Sequence, residues 1–308
     1  MPKHSEPGLL LRMDQLKHLP ASATSIDPGV SVAFRDGRAF IPIARSGCGI
    51  GCKYCYISAP SAKVQPLLPE YMHILLGDVR DHIYKYYQPV PIIAIGCDTE
   101  VGVSPQLVNN ALICLEFAAR YHLPVQLATK FPLPTALRGA LDNWPIPNAP
   151  PMVFTTITTV TISARIEPNA PSPAERSANF TAHLPTWQSY ALIKPFLQTT
   201  GEDREALLEL LAANRPDGVV VGVRYRRRRT TDHGDPHPVT SDWIATLPSD
   251  SARLFILRLT EMGLRVFMNT QCASSWHNLS LDSTIVRNKY PHLCVQCGRC
   301  PEEARVAR

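Results

Sequence analysis

Three cysteines near the start of the chain have the spacing of a metal-ligand set. Cys48, Cys52 and Cys55 stand in the pattern C-x3-C-x2-C. Thiolate sulfurs are soft ligands that select zinc, copper(I) or iron–sulfur clusters. Three cysteines also leave one coordination position of the metal to a group that is not protein. The triplet therefore predicts a reactive metal centre.

The residues around the triplet suit a loop that wraps around a cluster. Gly47, Gly49 and Gly51 lack a Cβ and tolerate positive φ, so a short loop can turn all three sulfurs inward. The preceding segment 39–44 is typical of a strand. A zinc knuckle is the alternative, but it usually needs a fourth Cys or His close by, and none follows Cys55 soon.

The elements that must position this loop alternate between helix and strand. Helical spacing of apolar residues predicts helices near 69–87, 104–119, 134–142, 172–183, 201–214 and 250–262. Apolar runs predict strands near 39–44, 91–95, 124–129, 151–160, 188–194, 218–224 and 264–268. Because the strands are continuously apolar and alternate with helices, they imply a parallel sheet.

The predicted fold is α/β, a partial or full parallel (β/α) barrel over residues 38–269. An irregular lead-in is expected over 1–37 and an irregular cysteine-rich extension over 270–308. The active sites of such barrels lie at the C-terminal ends of the strands. The cysteine loop follows the first strand, so it falls at that end.

Composition limits the classes of protein that this chain can be. The net charge of +5 is mild and does not by itself argue for nucleic acid. We found no run of about 18 apolar residues and no apolar signal-peptide core, so a cytoplasmic protein without membrane contact is expected. Six of the nine cysteines cluster in two short segments, which indicates metal ligands in a reducing compartment rather than disulfides.

Polar motifs also follow the later strands. They are Gly96-Cys-Asp-Thr-Glu100, Thr129-Lys130, Thr155-Thr156, the segment from Arg165 to Arg176, and Ile193-Lys-Pro195. With the cysteine loop and Tyr54 before its third cysteine, this succession resembles the spore photoproduct lyase-like, or DNA repair photolyase-like, branch of the radical S-adenosylmethionine (SAM) superfamily. The resemblance covers roughly residues 38–224. The sequence departs from that branch at Cys97 and at Glu100-Val-Gly, where the branch has other residues.

The resemblance implies that Cys48, Cys52 and Cys55 hold a 4Fe-4S cluster whose fourth iron binds the amino and carboxylate groups of SAM. It also implies cofactor-binding roles for Tyr54, Tyr56, Asp98, Lys130, Thr156 and Glu167. A carboxylate and a cationic donor suit a zwitterionic sulfonium with a ribose. The alternatives are an ordinary salt bridge for Asp98 and Lys130, and loop-bracing hydrogen bonds for Glu167 and Arg176.

The activity that the resemblance implies is the reductive cleavage of SAM to a 5′-deoxyadenosyl radical, which abstracts hydrogen from a substrate. Such an enzyme needs a small electron donor such as flavodoxin or ferredoxin.

A second cysteine cluster lies near the C-terminus. Cys294, Cys297 and Cys300 have the spacing C-x2-C-x2-C, and Cys272 stands upstream of them. Such a set predicts an auxiliary 4Fe-4S cluster, with zinc or free thiols as the alternatives. In spore photoproduct lyases a cysteine near the C-terminus returns hydrogen to the product radical, so the resemblance gives Cys272 a second, catalytic interpretation. Cys114 lies inside a predicted helix and is interpreted as core packing.

A basic run follows the predicted strand near 218–224. It contains Arg224 and Arg226 to Arg229, with Tyr225 between them. Arginine forks suit phosphates and a tyrosine can stack on a base, so Tyr225, Arg226 and Arg227 are predicted substrate-binding residues. A solvated surface loop is the alternative.

The predicted function is therefore a radical SAM enzyme acting on a nucleotide, a nucleic acid or another phosphorylated compound. One alternative is a radical SAM enzyme of small-molecule or natural-product biosynthesis that uses a second cluster. The other is a zinc-binding interaction protein.

Overall fold

The computed structural model describes residues 30–35, 37–55, 63–86, 92–181, 186–197, 199–222, 224–227, 243–246, 250–268 and 270–277. For 224–227 and 243–246 this description is limited to the backbone. Four of the predicted site residues lie outside these ranges, namely Tyr56, Cys294, Cys297 and Cys300.

The strands of the described chain form one large sheet and two small ones. They are β1 (Ala33–Arg35), β2 (Arg38–Ile41), β3 (Ala44–Ser46), β4 (Gln65–Pro66), β5 (Ile92–Ile95), β6 (Val125–Thr129), β7 (Met152–Thr156), β8 (Gln188–Ile193), β9 (Gly218–Val221), β10 (Arg224–Arg227), β11 (Trp243–Thr246) and β12 (Val266–Phe267). The large sheet has the order β1-β2-β5-β6-β7-β8-β9-β12. Every pair from β2 to β12 is parallel, and β1 is antiparallel to β2.

Helices connect consecutive parallel strands, as the alternating pattern predicts. They are α1 (Pro69–Tyr86), α2 (Pro105–Arg120), α3 (Thr135–Asp142), α4 (Ser163–Ile166), α5 (Pro173–Thr181), α6 (Gly201–Asn214), α7 (Asp250–Glu261) and α8 (Thr270–His277). The start of α2 is capped as predicted, since the Leu107 backbone N–H donates to Ser104 Oγ at 3.3 Å. At α5, Ser172 and Glu175 form a reciprocal capping box just before and within the first turn.

Side chains on the outer face of the sheet pack under the helices. Ile93 and Ile95 of β5 and Leu127 of β6 belong to one buried apolar cluster with residues of α1 to α3. Cys114 of α2 is fully buried in this cluster, which confirms its prediction as a core residue. Because strand residues alternate between faces, the neighbours of these residues line the concave inner face.

The concave face is filled mainly on the side of β7 to β12. Phe154, Tyr190 and Phe267 stack there, with ring centroids 5.1 and 6.0 Å apart, and Cys272 of α8 packs against the same cluster. The order of the sheet ends at β1 and β12, so the barrel is open between them. Arg38 at the start of β2 donates to Thr270 Oγ1 of α8 at 2.8 Å across this opening. The predicted α/β fold is confirmed as a partial barrel.

Two elements fall in segments that the sequence predicts to be irregular. Strand β1 lies within the lead-in and α8 lies within the C-terminal extension. Both are short, and β1 forms only because Gly37, with φ of 69°, turns the chain back onto β2. A three-residue strand on a sheet edge leaves no periodic signal in a sequence. No helix in the described part of the chain has the length and apolar character needed to cross a bilayer.

Candidate active site

The cysteine loop starts and ends in a small hairpin at the carboxyl edge of the sheet. Strands β3 and β4 pair antiparallel on either side of it, with Ser46 opposite Gln65. Within the loop Cys52 is buried, while Cys48 and Cys55 are half-buried. The Cys55 backbone N–H donates to the Cys52 carbonyl at 3.1 Å. The hairpin therefore holds the loop at the mouth of the barrel, where the sequence predicts it.

The three glycines of the loop have the conformation that was expected of them. Gly47, Gly49 and Gly51 have φ values of 77°, 80° and 71°. These values lie in the left-handed region, which costs other residues energy but glycine none. The alternation of such turns with ordinary residues lets the chain change direction between Cys48 and Cys52.

Residues from later strands and helices fix the loop in place. Thr99, just after β5, donates from Oγ1 to the Gly47 carbonyl at 2.9 Å. Asn169, from the segment after α4, donates to the Gly49 carbonyl at 3.0 Å. The Lys53 backbone N–H donates to the Ile166 carbonyl at 2.9 Å. The predicted motifs thus meet at the loop, although more than 100 residues separate some of them.

The donor set fits a cluster held by three thiolates. Burial is the main reason that the pKa of the Cys52 thiol is raised to about 11; the charge of Lys130 lowers the pKa, and those of Glu167, Cys55 and Cys48 raise it. Yet within the described ranges no three His, Cys, Asp or Glu side chains are arranged around a single metal ion.

Three cysteines on one loop match the ligand set of a 4Fe-4S cluster. In a 4Fe-4S cluster each thiolate binds a different iron, so the sulfurs surround a larger object than one ion. A bound metal also deprotonates its thiol ligands outright, which overcomes the raised pKa. The residues present therefore fit the cluster that the resemblance implies.

Glu167 is the centre of a buried polar network beside the loop. Its side chain is fully buried, and Tyr54 of the cysteine loop donates a hydrogen bond to Oε1. Lys130 Nζ, which follows β6, lies 3.1 Å from the same oxygen and 3.0 Å from the Tyr54 hydroxyl. Thr158, after β7, also donates to Oε1 at 3.3 Å. The ends of β6 and β7 and the cysteine loop are thus joined through one carboxylate.

Arg176 of α5 neutralises the other oxygen of this carboxylate. Its Nη1 lies 2.6 Å from Glu167 Oε2, and both side chains are fully buried. The remaining guanidinium hydrogens go to the Thr156 carbonyl, Ser163 Oγ and the Pro171 carbonyl at 2.7 to 3.2 Å. A buried arginine is tolerated only when its donors are satisfied in this way. These contacts are the loop-bracing hydrogen bonds considered as the alternative for Glu167 and Arg176.

The network keeps its charges at every ordinary pH. Burial alone would raise the pKa of Glu167, but the charges of Lys130 and Arg176 and the hydrogen bond from Tyr54 lower it to about 2. Burial alone would lower the pKa of Lys130, but Tyr54 and Glu167 raise it above its ordinary value. Burial raises the pKa of the Tyr54 hydroxyl, which stays protonated and donates. The mouth of the barrel therefore carries a fixed ammonium and a fixed carboxylate.

Glu100 performs a second bracing role that the sequence did not indicate. It is buried after β5 and accepts hydrogen bonds from Thr129 Oγ1 at 2.5 Å, from the Lys130 backbone N–H at 2.6 Å and from the Gly102 N–H at 3.2 Å. It thereby fixes the backbone that carries the Lys130 side chain. The only signal in the sequence was that Glu100 departs from the pattern of the similar branch, which says nothing about its contacts.

Two other predicted cofactor residues, Asp98 and Thr156, lie at the carboxyl ends of β5 and β7. Asp98 is exposed, and it lines a cavity of about 240 Å³ together with Gly47 and Cys97. Thr156 ends β7 and is buried, with its carbonyl held by Arg176. Lys130 makes a salt bridge to Glu167, which is the kind of contact that the alternative interpretation expects of it. Tyr225, Arg226 and Arg227 lie in β10, after β9, where the alternative was a surface loop.

These features define a class of protein: an open parallel (β/α) barrel with a three-cysteine loop at its mouth. Spore photoproduct lyase has this fold. Its structure complexed with dinucleoside spore photoproduct is similar, with a TM-score of 0.56 and 13% identity over 74% of this chain and 75% of that chain. A spore photoproduct lyase variant with bound AdoMet and dinucleoside spore photoproduct has a TM-score of 0.56 and 13% identity, over 75% and 76% of the two chains.

A third similar structure is that of Streptococcus suis SuiB bound to S-adenosylmethionine. It has a TM-score of 0.51 and 10% identity, and the match covers 79% of this chain and 52% of that chain. The sequence matches no protein-family model and no curated protein. At these identities the likeness is one of fold, and it confirms the predicted partial (β/α) barrel, which spore photoproduct lyase and SuiB share.

Proposed function

We propose that the protein is a radical SAM enzyme that holds a 4Fe-4S cluster through Cys48, Cys52 and Cys55. The observation that carries this proposal is the loop itself, whose left-handed glycines and three outside hydrogen bonds hold its thiols at the barrel mouth. The cluster and SAM, when bound, supply a 5′-deoxyadenosyl radical that abstracts hydrogen from a substrate.

The residues proposed for the SAM site are Tyr54, Asp98, Lys130, Thr156 and Glu167, together with Tyr56, which lies outside the described residues. Lys130 has three N–H donors, and its contacts with Tyr54 and Glu167 occupy two of them. The third can serve an acceptor on the cofactor. Glu167 is enclosed by its own partners, so we propose that it acts by holding Lys130 and Tyr54 in position. The exposed Asp98 carboxylate suits the amino group of SAM or its ribose hydroxyls.

The direct test is SAM cleavage by protein reconstituted with iron and sulfide without oxygen and reduced with dithionite. Mass spectrometry should detect methionine and 5′-deoxyadenosine. A sample with intact iron and sulfide that binds no SAM would contradict the proposal. A colourless, zinc-loaded preparation would instead support the interaction-protein alternative.

The same preparation also tests what the C-terminal cysteines bind. We propose that Cys272 with Cys294, Cys297 and Cys300 binds an auxiliary 4Fe-4S cluster, or that Cys272 returns hydrogen to the product. Its burial against the aromatic cluster of the concave face supports a place inside the barrel. Two clusters predict about eight irons per chain, and one cluster predicts about four. If the chain holds about four irons, zinc analysis separates a zinc site at these cysteines from unligated thiols. Unligated thiols would allow Cys272 to return hydrogen to the product.

For the substrate we propose a nucleotide, a nucleic acid or another phosphorylated compound. Residues 224–227 of the basic run form β10, which follows β9 and pairs antiparallel with β11 in a two-stranded ribbon. Positions 225 and 227 share one face of this ribbon with positions 243 and 245, so Tyr225 and Arg227 share a face with Trp243. Aromatic and arginine residues together are typical of surfaces that bind single-stranded nucleic acid. The dinucleoside bound to spore photoproduct lyase is consistent with this class of substrate.

Replacing Arg226 and Arg227 with Gln should weaken binding of a single-stranded oligonucleotide and flatten its dependence on salt. For every phosphate that the variant no longer neutralises, the slope of log K against log salt should fall by about 0.7. Equilibrium binding is measured across salt concentrations. The matched control replaces the exposed Arg120 and Arg253 on α2 and α7 and should leave the slope unchanged. Equal slopes for both double variants would favour the small-molecule alternative.

A further inference from the structure

The first turn of α6 carries a buried carboxylate that reaches away from its own helix. Asp203 is the third residue of α6 and is 1% exposed. At the same position of α5, the exposed Glu175 accepts hydrogen bonds from the backbone N–H and the hydroxyl of Ser172, which precedes that helix. An acidic residue at this position commonly closes its own helix in that way. The carboxylate of Asp203 instead reaches a neighbouring loop.

Asp203 holds the turn that follows β7. Its Oδ1 accepts hydrogen bonds from Thr159 Oγ1 at 2.7 Å, from the Val160 N–H at 2.9 Å, and from the N–H and hydroxyl of Thr161 at 2.7 and 2.8 Å. Burial alone would raise the pKa of Asp203, but these hydrogen bonds lower it, so the carboxylate is charged at neutral pH. Because hydrogen bonds to a charged acceptor are stronger than neutral ones, this oxygen fixes three consecutive residues of the turn.

The other oxygen of this carboxylate does not stabilise the helix. Asp203 Oδ2 is buried, and no donor among the residues that the structure describes reaches it. A buried acceptor without a donor is unfavourable. The cap of α6 comes from Thr200, whose Oγ1 accepts from the Asp203 backbone N–H at 3.2 Å. The stability of α6 therefore does not explain the buried charge, whereas the position of the turn does.

The turn begins with a residue of the buried network around Glu167. Thr158 is 2% exposed and directly precedes the three residues that Asp203 holds. Its hydroxyl lies 3.3 Å from both the Tyr54 hydroxyl oxygen and Glu167 Oε1. Both of these atoms also contact Lys130 Nζ, at 3.0 and 3.1 Å. A shift of the turn would therefore move a hydroxyl that contacts both groups that hold the ammonium.

We propose that Asp203 is a positioning residue of the cofactor site, which acts through Thr158 on the Tyr54 hydroxyl and the Lys130 ammonium. This inference rests on the proposed function and adds to it a residue from α6. The hydrogen bonds of Asp203 Oδ1 go to the turn, so its influence on the site is indirect. A turn that is fixed before SAM arrives need not be ordered during binding, which increases affinity.

The test measures SAM binding by calorimetry on the full chain with its reconstituted cluster. Asp203→Ala should weaken binding about tenfold, because the turn loses a charged acceptor. Asp203→Asn keeps an oxygen acceptor of the same shape, so its binding should stay within about threefold of the wild type. The matched control is Glu175→Ala, which removes the acid at the same position of α5 and should bind SAM like the wild type.

A double-mutant cycle separates positioning from a general loss of stability. Thr158→Val removes the hydroxyl through which Asp203 is proposed to act. Adding Asp203→Ala to Thr158→Val should therefore weaken binding by less than about threefold, whereas independent effects would multiply. If Asp203→Ala does not fold, Thr161→Val takes its place, since it removes one hydrogen bond of the turn and keeps the carboxylate. This variant alone should weaken binding about threefold.

Hydrogen exchange on the metal-free protein provides a measurement that needs no cofactor. The backbone N–H groups of Val160 and Thr161 donate to Asp203, so they should exchange faster in Asp203→Ala than in the wild type. The same N–H groups should be unchanged in Glu175→Ala. Faster exchange shows that the carboxylate holds the turn in the absence of the cluster and SAM.

Four results would overturn the inference. They are wild-type affinity for SAM in a folded Asp203→Ala variant, effects that multiply in the double variant, unchanged exchange at the turn, and an equal loss of affinity in Glu175→Ala. The wild type separates this failure from that of the proposed function. A wild type that binds SAM while any of these results holds refutes only the role of Asp203. A wild type with an intact cluster that binds no SAM refutes the proposed enzyme.

Discussion

Cys52→Ala is expected to form no 5′-deoxyadenosine above background and to lose the iron bound by the cysteine loop. Cys52 is the most buried of the three thiols, and alanine offers no ligand in its place. Two thiolates and two open positions do not hold a cluster that needs cysteine ligands at most of its irons. Iron content, the visible absorption of the cluster and the yield of 5′-deoxyadenosine are measured on the same anaerobic sample.

The control is Cys114→Ala, which removes another buried thiol from the same chain. Cys114 lies in α2 with no exposed surface, and it packs in the apolar cluster behind the sheet. This variant should keep its iron and its SAM cleavage. If Cys52→Ala kept a full complement of iron at the loop, the proposed ligand set would be wrong, whatever the activity.

The second large effect is expected from Arg176→Met, which should destabilise the protein by about 3–5 kcal/mol. Removing the guanidinium leaves the buried Glu167 carboxylate with Lys130 as its remaining cation in the network, and it also removes the donors to the Thr156 and Pro171 carbonyls. The physical reason for the loss is that Glu167 Oε2 loses its charged partner and buried carbonyls lose their donor, while neither can be hydrated in the core. The change in the free energy of unfolding is measured by urea unfolding of the metal-free protein, from the midpoints and slopes of the curves of the wild type and the variant.

Arg258→Met is the matched control, because it breaks an arginine–glutamate pair that is exposed rather than buried. Arg258 and Glu205 lie 3.2 Å apart, but their side chains are 52% and 55% exposed. Solvent screens such a pair, so its loss should change stability by about 0–1 kcal/mol. Similar losses in both variants would show that the buried network does not stabilise the barrel as we infer.

The destabilisation by Arg176→Met should also depend on pH. The pKa of Glu167 falls from an ordinary 4.5 to about 2 in the folded protein, so its stabilising charge is fully present above about pH 4.5. That contribution is lost as the pH falls through the folded pKa. The difference between wild type and variant should therefore narrow between pH 4.5 and 2 and stay constant above that range. A difference that widened toward acid would contradict the assignment of Glu167 as the charged partner.

Most of the barrel was predictable because its strands and helices carry local signals. Apolar runs mark β5 to β9, and Ser104 and Pro105 mark the start of α2, each through effects that act within a few residues of the chain. The cysteine loop was predictable for the same reason, since its spacing and its glycines are contiguous. Strands β1 and β3 were not predictable, because each is three residues long and depends on a partner strand.

The candidate site, like the fold, was predictable from the sequence only in part. Residue types and their order along the chain determined that a thiolate centre should stand at the mouth of a parallel barrel, with Lys130, Glu167 and Arg176 near the strand ends. Only the tertiary structure decided how these charges pair: Glu167 takes both Lys130 and Arg176, and Glu100 holds the backbone of Lys130. Pairing of buried groups depends on distances between elements far apart in sequence, and burial sets its strength, so local pattern carries no trace of it.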